Sequence, residues 1–276
     1  MKLDAHQHFW QYNPRDYGWM GPGMERLQVD HLPEDLRPYL ATQAIDGTIA
    51  VQARQTLEET RWLLDLADQY PFIKGVVGWV DLRSDGLRHQ LDELCQHPKL
   101  VGVRHVIHDE PDDSFMLRED FLRGLGLLAD YNLVYDLLLF PKHLPAAVEL
   151  VGRFPEQQFV LDHIAKPFIK DGRLSPWAED LPRLAAFPNV VCKVSGMVTE
   201  ADWHAWQPAD FRPYLDVVFA AFGTERLMFG SDWPVCTVAG SYEQVVGLVA
   251  DYMAQLSPAE QTAVFGATAA CVYGVH

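Results

Sequence analysis

Eight short runs rich in Val, Ile, Leu and Phe recur along the chain, with stretches of helical period between them. The runs are Leu3–Phe9, Gly47–Ala53, Ile73–Asp81, Val101–Ile107, Leu133–Leu139, Gln158–Ile164, Val190–Ser195 and Arg226–Ser231. Near-continuous apolar runs of this length suit parallel strands covered on both faces. Between them, Leu57–Tyr70 sets Leu63, Leu64, Leu66 and Ala67 against Glu58, Glu59, Arg61 and Asp65 at helical spacing. Leu87–Gln96, Phe115–Tyr131, Lys142–Arg153, Ala178–Phe187 and Pro208–Phe222 follow the same pattern. Ser257-Pro258-Ala259-Glu260 supplies a capping hydroxyl, a proline at the first helical position and an acid at the third, so a helix is expected from there to about Tyr273. Eight such alternations predict an α/β chain folded as one (β/α)8 barrel over residues 1–276, rather than an open doubly wound sheet. The connection Trp10–Ala44 is too long for an ordinary loop and carries Gly18, Gly21, Pro22, Gly23 and Pro33. It reads as an elaborated loop with a short helix, folded over the barrel mouth.

Composition excludes several classes of function. With 49% hydrophobic residues, eight Trp and 14 Phe, the chain can bury a large core and is not disordered. The balance of 22 Lys+Arg against 38 Asp+Glu gives −16, with no concentrated basic patch, which argues against nucleic acid and anionic membranes as partners. The richest apolar run, Leu133–Phe140, is interrupted by Asp136 and is too short for a membrane helix. Met1–Gln11 already contains Lys2, Asp4, His6 and His8, unlike the apolar centre of a signal peptide. Cys95, Cys192, Cys236 and Cys271 lie far apart without a CxxC, as free thiols do in a reducing compartment, so the expected location is cytoplasmic. Asp109–Asp113 reads as a solvated acidic loop.

In a barrel the chemistry sits at the C-terminal ends of the strands. The first strand ends Asp4-Ala5-His6-Gln7-His8, and residues two apart on a strand face the same way, so His6 and His8 are expected to point inward together. Two such imidazoles can chelate a cation or hydrogen-bond a polarised oxygen. The sixth strand ends at His163 and the eighth at Asp232, next to the first strand in a closed barrel. A carboxylate beside imidazoles can hold a water and take its proton. Other strand ends carry Gln52 and Arg54, Arg104 and His105, Tyr135 and Asp136, and Lys193 and Ser195. Arg54, Arg104 and Lys193 have two readings: they bind substrate hydroxyls, a carboxylate or an oxyanion, or they belong to internal ion pairs with Asp81, Asp136 or Asp162. Gly124-Leu125-Gly126-Leu127-Leu128-Ala129 spells a dinucleotide fingerprint but sits inside a helical run with no preceding strand. No GxSxG elbow or phosphate loop is present, and no organic cofactor is expected. His31, His89, His97, His108, His143 and His204 fall in helices or loops and are expected at the surface.

Taken together, Asp4-Ala5-His6-Gln7-His8-Phe9-Trp10, Val51-Gln52-Ala53-Arg54, Gly102-Val103-Arg104-His105, Val160-Leu161-Asp162-His163, Cys192-Lys193-Val194-Ser195-Gly196 and Phe229-Gly230-Ser231-Asp232-Trp233-Pro234 resemble the amidohydrolase superfamily. The likeness is to its lactonase branch, which contains L-fuconolactonases and 2-pyrone-4,6-dicarboxylate lactonase, and it runs from Met1 to about Tyr273. It implies a distorted (β/α)8 barrel whose active site uses His6, His8, His163 and Asp232. Two departures speak against a two-metal site: the fourth strand offers Arg104 and His105 where two-metal enzymes have a bridging Lys or Glu, and the fifth offers Asp136 where they have His. The ligand set then suits at most one divalent cation, such as zinc, on His6, His8, His163 and Asp232. Nearby Arg54, Arg104 and Lys193 weaken its hold, and activity is expected to persist largely without it.

The opening His-Gln-His-Phe-Trp and the Gln52/Arg54 strand end look more like the sugar-lactone enzymes. The expected reaction is hydrolysis of a small sugar lactone, L-fuconolactone or a related aldonolactone, with Gln52, Arg54, Arg104, His105, Lys193 and Trp233 as substrate-binding candidates. Three alternatives stand beside it. They are a dicarboxylate-lactone hydrolase, a metal-dependent decarboxylase that binds a carboxylate through Arg104, and a sugar-binding barrel without chemistry.

Overall fold

Each of the eight apolar runs forms a strand in the computed structural model, which describes residues 1–276. The strands are β1 (Leu3–Gln7), β2 (Gly47–Val51), β3 (Ile73–Gly78), β4 (Leu100–His105), β5 (Val134–Leu137), β6 (Phe159–Leu161), β7 (Val190–Val194) and β8 (Leu227–Phe229). They lie in the order β1 to β8, each parallel to the next. The ring closes through a parallel bridge between Gln7 and Trp233, with the Asp232 N–H donating to the His6 carbonyl (2.8 Å) and the His8 N–H to the Trp233 carbonyl (2.7 Å). This is a single TIM-type barrel with helices around it.

Val134, Val160, Val191, Ile49, Val51, Val77 and Met228 pack with Leu3 and Ala5 in the apolar interior. Ala269, Tyr273 and Val275 close that interior at the N-terminal ends of the strands. Two residues further along the chain, the next position on the same face, stand Asp136, Asp162 and Lys193 after Val134, Val160 and Val191, so the barrel changes from apolar to charged within one layer. On β1 the pairing slips: Asp4 opposes Thr48 but Gln7 opposes Ala50. The extra residue lets Ala5 fill the apolar interior while the next residue, His6, enters the polar layer above it.

The helices are α1 (Pro33–Thr42), α2 (Leu57–Gln69), α3 (Leu87–Leu94), α4 (Glu119–Leu125), α5 (Leu144–Arg153), α6 (Trp177–Ala185), α7 (Pro208–Phe222), α8 (Tyr242–Met253), α9 (Pro258–Thr262) and α10 (Thr268–Tyr273). Sequence reading and structure differ in four places. The run Phe115–Tyr131 is not one helix, because the extended backbone of Arg118 (ψ 141°) separates a short turn from α4. Helix α8 is additional. Its Ser241 caps the Gln244 N–H, but the crowded Val245, Val246, Val249 and Gly247 weaken its helical signal. The C-terminal helix is interrupted by a wide turn over Ala263–Ala267. Finally, β6 and β8 stop short of their apolar runs because the chain turns left-handed at His163–Lys166 and at Asp232.

The long connection after β1 packs against the segments that follow β2 and β8. Trp10 pairs with His31 through both backbone groups (3.0 and 2.9 Å). Trp10, Tyr17, Met20 and Leu27 form a small core against Ala53, Val235 and Val238, which follow β2 and β8. The Trp10 indole N–H is satisfied by the carbonyls of Leu27 and Val29.

Candidate active site

His6, His8, His163 and Asp232 meet at the C-terminal end of the barrel, and all four are buried. Asp232 Oδ1 lies 3.4 Å from His8 Nε2, 3.8 Å from His163 Nε2 and 3.9 Å from His6 Nε2. The Nε2 atoms of His6 and His8 are 3.2 Å apart. The other ring nitrogens are occupied behind this cluster. His8 Nδ1–H donates to the Val51 carbonyl (2.8 Å), which directs its Nε2 lone pair at the cluster. His163 Nδ1 bonds the Ser195 hydroxyl (2.8 Å), and His6 Nδ1 stands 3.2 Å from Asp162.

Local backbone makes these positions possible. His163, Ile164, Ala165 and Lys166 all have φ between +48° and +62°, and the Trp177 indole N–H fixes this turn by donating to the Ile164 carbonyl (2.7 Å). Gly196 (φ +60°) passes so close to the His163 ring that a Cβ there would lie 2.5 Å from Nδ1. A Cβ on Gly230 would meet that of His6 at 2.6 Å. These two strand ends must be glycine for the rings to fit.

Beneath the imidazoles lies a buried charge network. Lys193 Nζ donates to Asp136 Oδ2 (2.6 Å) and contacts Asp162 Oδ1 (3.1 Å) and His6 Nδ1 (3.2 Å). Arg104 donates to Asp162 Oδ2 (3.0 Å) and to the Gln52 carbonyl (2.5 Å), and lies 3.3 Å from His6 Nε2. Tyr273 reaches up to donate to Asp136 (3.0 Å). Two cations and two carboxylates balance, as burial of charge requires. Burial opposes ionisation of Asp162, but Lys193, His6 and Arg104 together hold its carboxyl well below the usual range. Burial, opposed mainly by Lys193, raises Asp136. Burial also pushes the imidazoles of His6 and His163 well below their ordinary value.

The remaining strand-end residues are distributed around this centre. Arg104 and Lys193 sit in the internal ion pairs just described. Gln52 is fully buried and bonds Arg104. Arg54 pairs with Asp16 of the long loop at 3.1 Å, with 29% of its side chain exposed. His105 lies on the other side of β4 from Arg104, between the Trp79 indole (3.4 Å) and Glu110 (2.7 Å). Trp233 is buried against Phe9 and the edge of His31. Three histidines expected at the surface are instead partly or wholly buried. His143 is fully buried and accepts the Phe140 N–H, and His31 is wedged between Trp10 and Trp233. His108 stacks on Phe140 at 4.7 Å, and burial pushes it down to about 3. The partners of His31 and His108 lie mostly far away in sequence, so no local pattern marks their burial. Asp4, Tyr242 and Tyr273 bond to the residues that surround the cluster. No sequence pattern marks them, apart from the position of Asp4 two residues before His6.

The amidohydrolase family model matches residues 3–275. The chain belongs to the amidohydrolase family. An L-fucono-1,5-lactonase of Burkholderia multivorans is 44% identical, with 100% of this chain and 96% of that protein aligned. An L-fucono-1,5-lactonase of Burkholderia ambifaria is 39% identical over 94% of this chain and 87% of its own. A crystal structure of an amidohydrolase from Burkholderia multivorans with bound zinc superimposes with a TM-score of 0.96 at 44% identity, covering 100% of both chains.

The donor set of this amidohydrolase suits one such ion. Zinc bonds of about 2.0–2.2 Å in a tetrahedron separate ligand atoms by about 3.3–3.6 Å. The cluster His6, His8 and Asp232 has separations of 3.2, 3.4 and 3.9 Å, and its imidazole orientations are fixed from behind. A second cluster, His6, Asp162 and His163, shares His6 with the first, and its Asp162 is already engaged by Arg104 and Lys193; Asp136 is likewise taken by Lys193 and Tyr273.

Proposed function

We propose that this amidohydrolase opens a sugar lactone, L-fuconolactone or a related aldonolactone, by water attack on the carbonyl. The observation that carries the reading is one carboxylate, Asp232, facing three Nε2 atoms within 3.4–3.9 Å in a buried mouth. The high identity to two L-fucono-1,5-lactonases supports the substrate class. Asp232 holds a water and takes its proton as the oxygen adds to the carbonyl carbon. The carbonyl oxygen, now carrying the electron pair, is stabilised by an N–H donor from His6 or His163, since His8 presents a lone pair. Collapse breaks the bond to the ring oxygen, and Asp232 returns the proton to that oxygen, releasing the open aldonic acid. A divalent ion held by His6, His8 and Asp232 would add Lewis-acid polarisation of the same carbonyl.

The decarboxylase alternative asks Arg104 to grip a carboxylate, but that guanidinium already serves Asp162 and Gln52. A dicarboxylate lactone needs several free arginines, and Arg54 is paired with Asp16. The test is turnover of an aldonolactone panel followed by a pH indicator. The wild-type protein should open at least one member about a thousandfold faster than buffer, and Asp232→Asn should lose at least about 100-fold in kcat. Full activity in Asp232→Asn removes Asp232 from the role of base. Binding of lactone without turnover would mark a sugar-binding barrel.

A further inference from the structure

Asp232 occupies a backbone conformation that a side-chain-bearing residue does not adopt freely. Its φ of +58° lies in the left-handed region, a strained conformation that the surroundings must hold in place. Asp232 supplies two of the restraining bonds itself, its N–H to the His6 carbonyl and its carbonyl to the Cys236 N–H, both 2.8 Å. The others converge on a residue outside the mouth.

Asp4 is fully buried on the opposite side of β1 from His6 and His8, toward α8. Its Oδ1 accepts the Ser231 N–H (2.8 Å) and the His6 N–H (3.2 Å). Its Oδ2 accepts the Ser231 hydroxyl (2.6 Å) and the Tyr242 hydroxyl (3.0 Å). The Ser231 oxygen in turn accepts the Trp233 N–H (3.0 Å). Both residues flanking Asp232 therefore hang on Asp4, Ser231 directly and Trp233 through the serine hydroxyl. One carboxylate also ties His6 on β1 to the turn after β8.

We infer that Asp4, acting through Ser231, is the positioning residue that holds Asp232 in its left-handed conformation and aims its carboxylate at the three imidazoles. Asp4 touches neither substrate nor reacting atoms, since all four of its hydrogen bonds are spent inside the wall. Tyr242 orients the outer oxygen and completes the clasp. The inference rests on Asp232 being the base.

The decisive variant is Ser231→Ala, which keeps the strand but strands the Trp233 N–H and frees one Asp4 oxygen. Misplacement of a catalytic group by about 1 Å costs about 100-fold in rate, so kcat on a lactone should fall about 100-fold with KM changed by less than threefold. Asp4→Asn, which keeps the shape and one acceptor, should fall by a smaller factor with the same split. Equal losses in kcat and binding, or wild-type kcat in both variants, would overturn the inference. Crystal structures of Ser231→Ala and Asp4→Asn decide the same point without turnover. Asp232 should leave the left-handed region, and its Oδ1 should move from His8 Nε2; an unmoved Asp232 would overturn the inference. If wild type opens no lactone, the proposed reaction fails, and these structures still decide the positioning role.

Discussion

Replacing Lys193 by Met removes the cation at the centre of the buried network while keeping most of its length. Lys193 is fully buried, and its ammonium stands 2.6 Å from Asp136 and 3.1 Å from Asp162, both also fully buried. Arg104 still answers Asp162 at 3.0 Å, but Asp136 would keep only the Tyr273 hydroxyl. Breaking a buried pair by removing one partner costs about 3–5 kcal/mol, because the other charge stays buried without compensation. At about 2 °C per kcal/mol for a chain of this size, the midpoint of thermal unfolding should fall by about 6–10 °C. Adding Asp136→Asn removes the orphaned charge and leaves an acceptor for Tyr273, so the double variant should recover at least half of the loss. Urea and thermal unfolding of the wild type, both single variants and the double variant close the cycle. A loss below about 1 kcal/mol in Lys193→Met, or a double variant no more stable than it, refutes the reasoning from uncompensated charge.

Gly196→Ala sets a Cβ at 2.5 Å from His163 Nδ1 at a φ of +60°, so it should lower both stability and turnover, by at least about 1 kcal/mol and about tenfold. Wild-type kinetics in that variant would show that His163 moves aside freely. Burial raises Glu59 to about 7, above its unfolded value near 4.5, although its carboxylate accepts the N–H groups of Ala53 and Arg54. The folded state then binds the Glu59 proton more tightly, so that contribution to stability is full below about pH 4.5 and lost as pH rises through 7. Glu59→Gln should therefore gain on the wild type in unfolding midpoint between pH 5 and 8, and a difference that is flat with pH refutes this. Metal analysis should find no more than about one divalent ion per chain, in partial occupancy, and chelation should leave most of the turnover. Two stoichiometric ions, or complete loss restored by zinc, would refute that expectation.

The barrel was legible because its strands are covered on both faces and so read as unbroken apolar runs, eight times over. The four mouth residues were legible because strand alternation places His6 and His8 on one side and the barrel rule assigns meaning to strand ends. Residues acting from outside the mouth were not. Tyr242 and Tyr273 look like ordinary helix residues, and their hydroxyls matter only because folding brings Asp4 and Asp136 beneath them. The left-handed turn at His163–Lys166 contains no glycine and continues an apolar run, so local chemistry favours strand and tertiary contact overrides it. For Arg104 and Lys193 the sequence left two readings open, because a cation at a strand end has the same signature whether it faces substrate or a carboxylate.

The closure of β1 against β8 also bears on how the protein is made. Asp4 finds its partners 227 and 238 residues later in the chain, and Asp136 meets its tyrosine 137 residues on. During synthesis β1 keeps one free edge until the chain has been made as far as β8 and α8. Contacts so distant in sequence make for slow folding, and an unpaired strand edge is a template for association with other chains. The seam between β1 and β8 is therefore the part of this barrel whose contacts close last. Substitutions at the seam should reduce the yield of folded protein in the cell before they measurably weaken what has already folded.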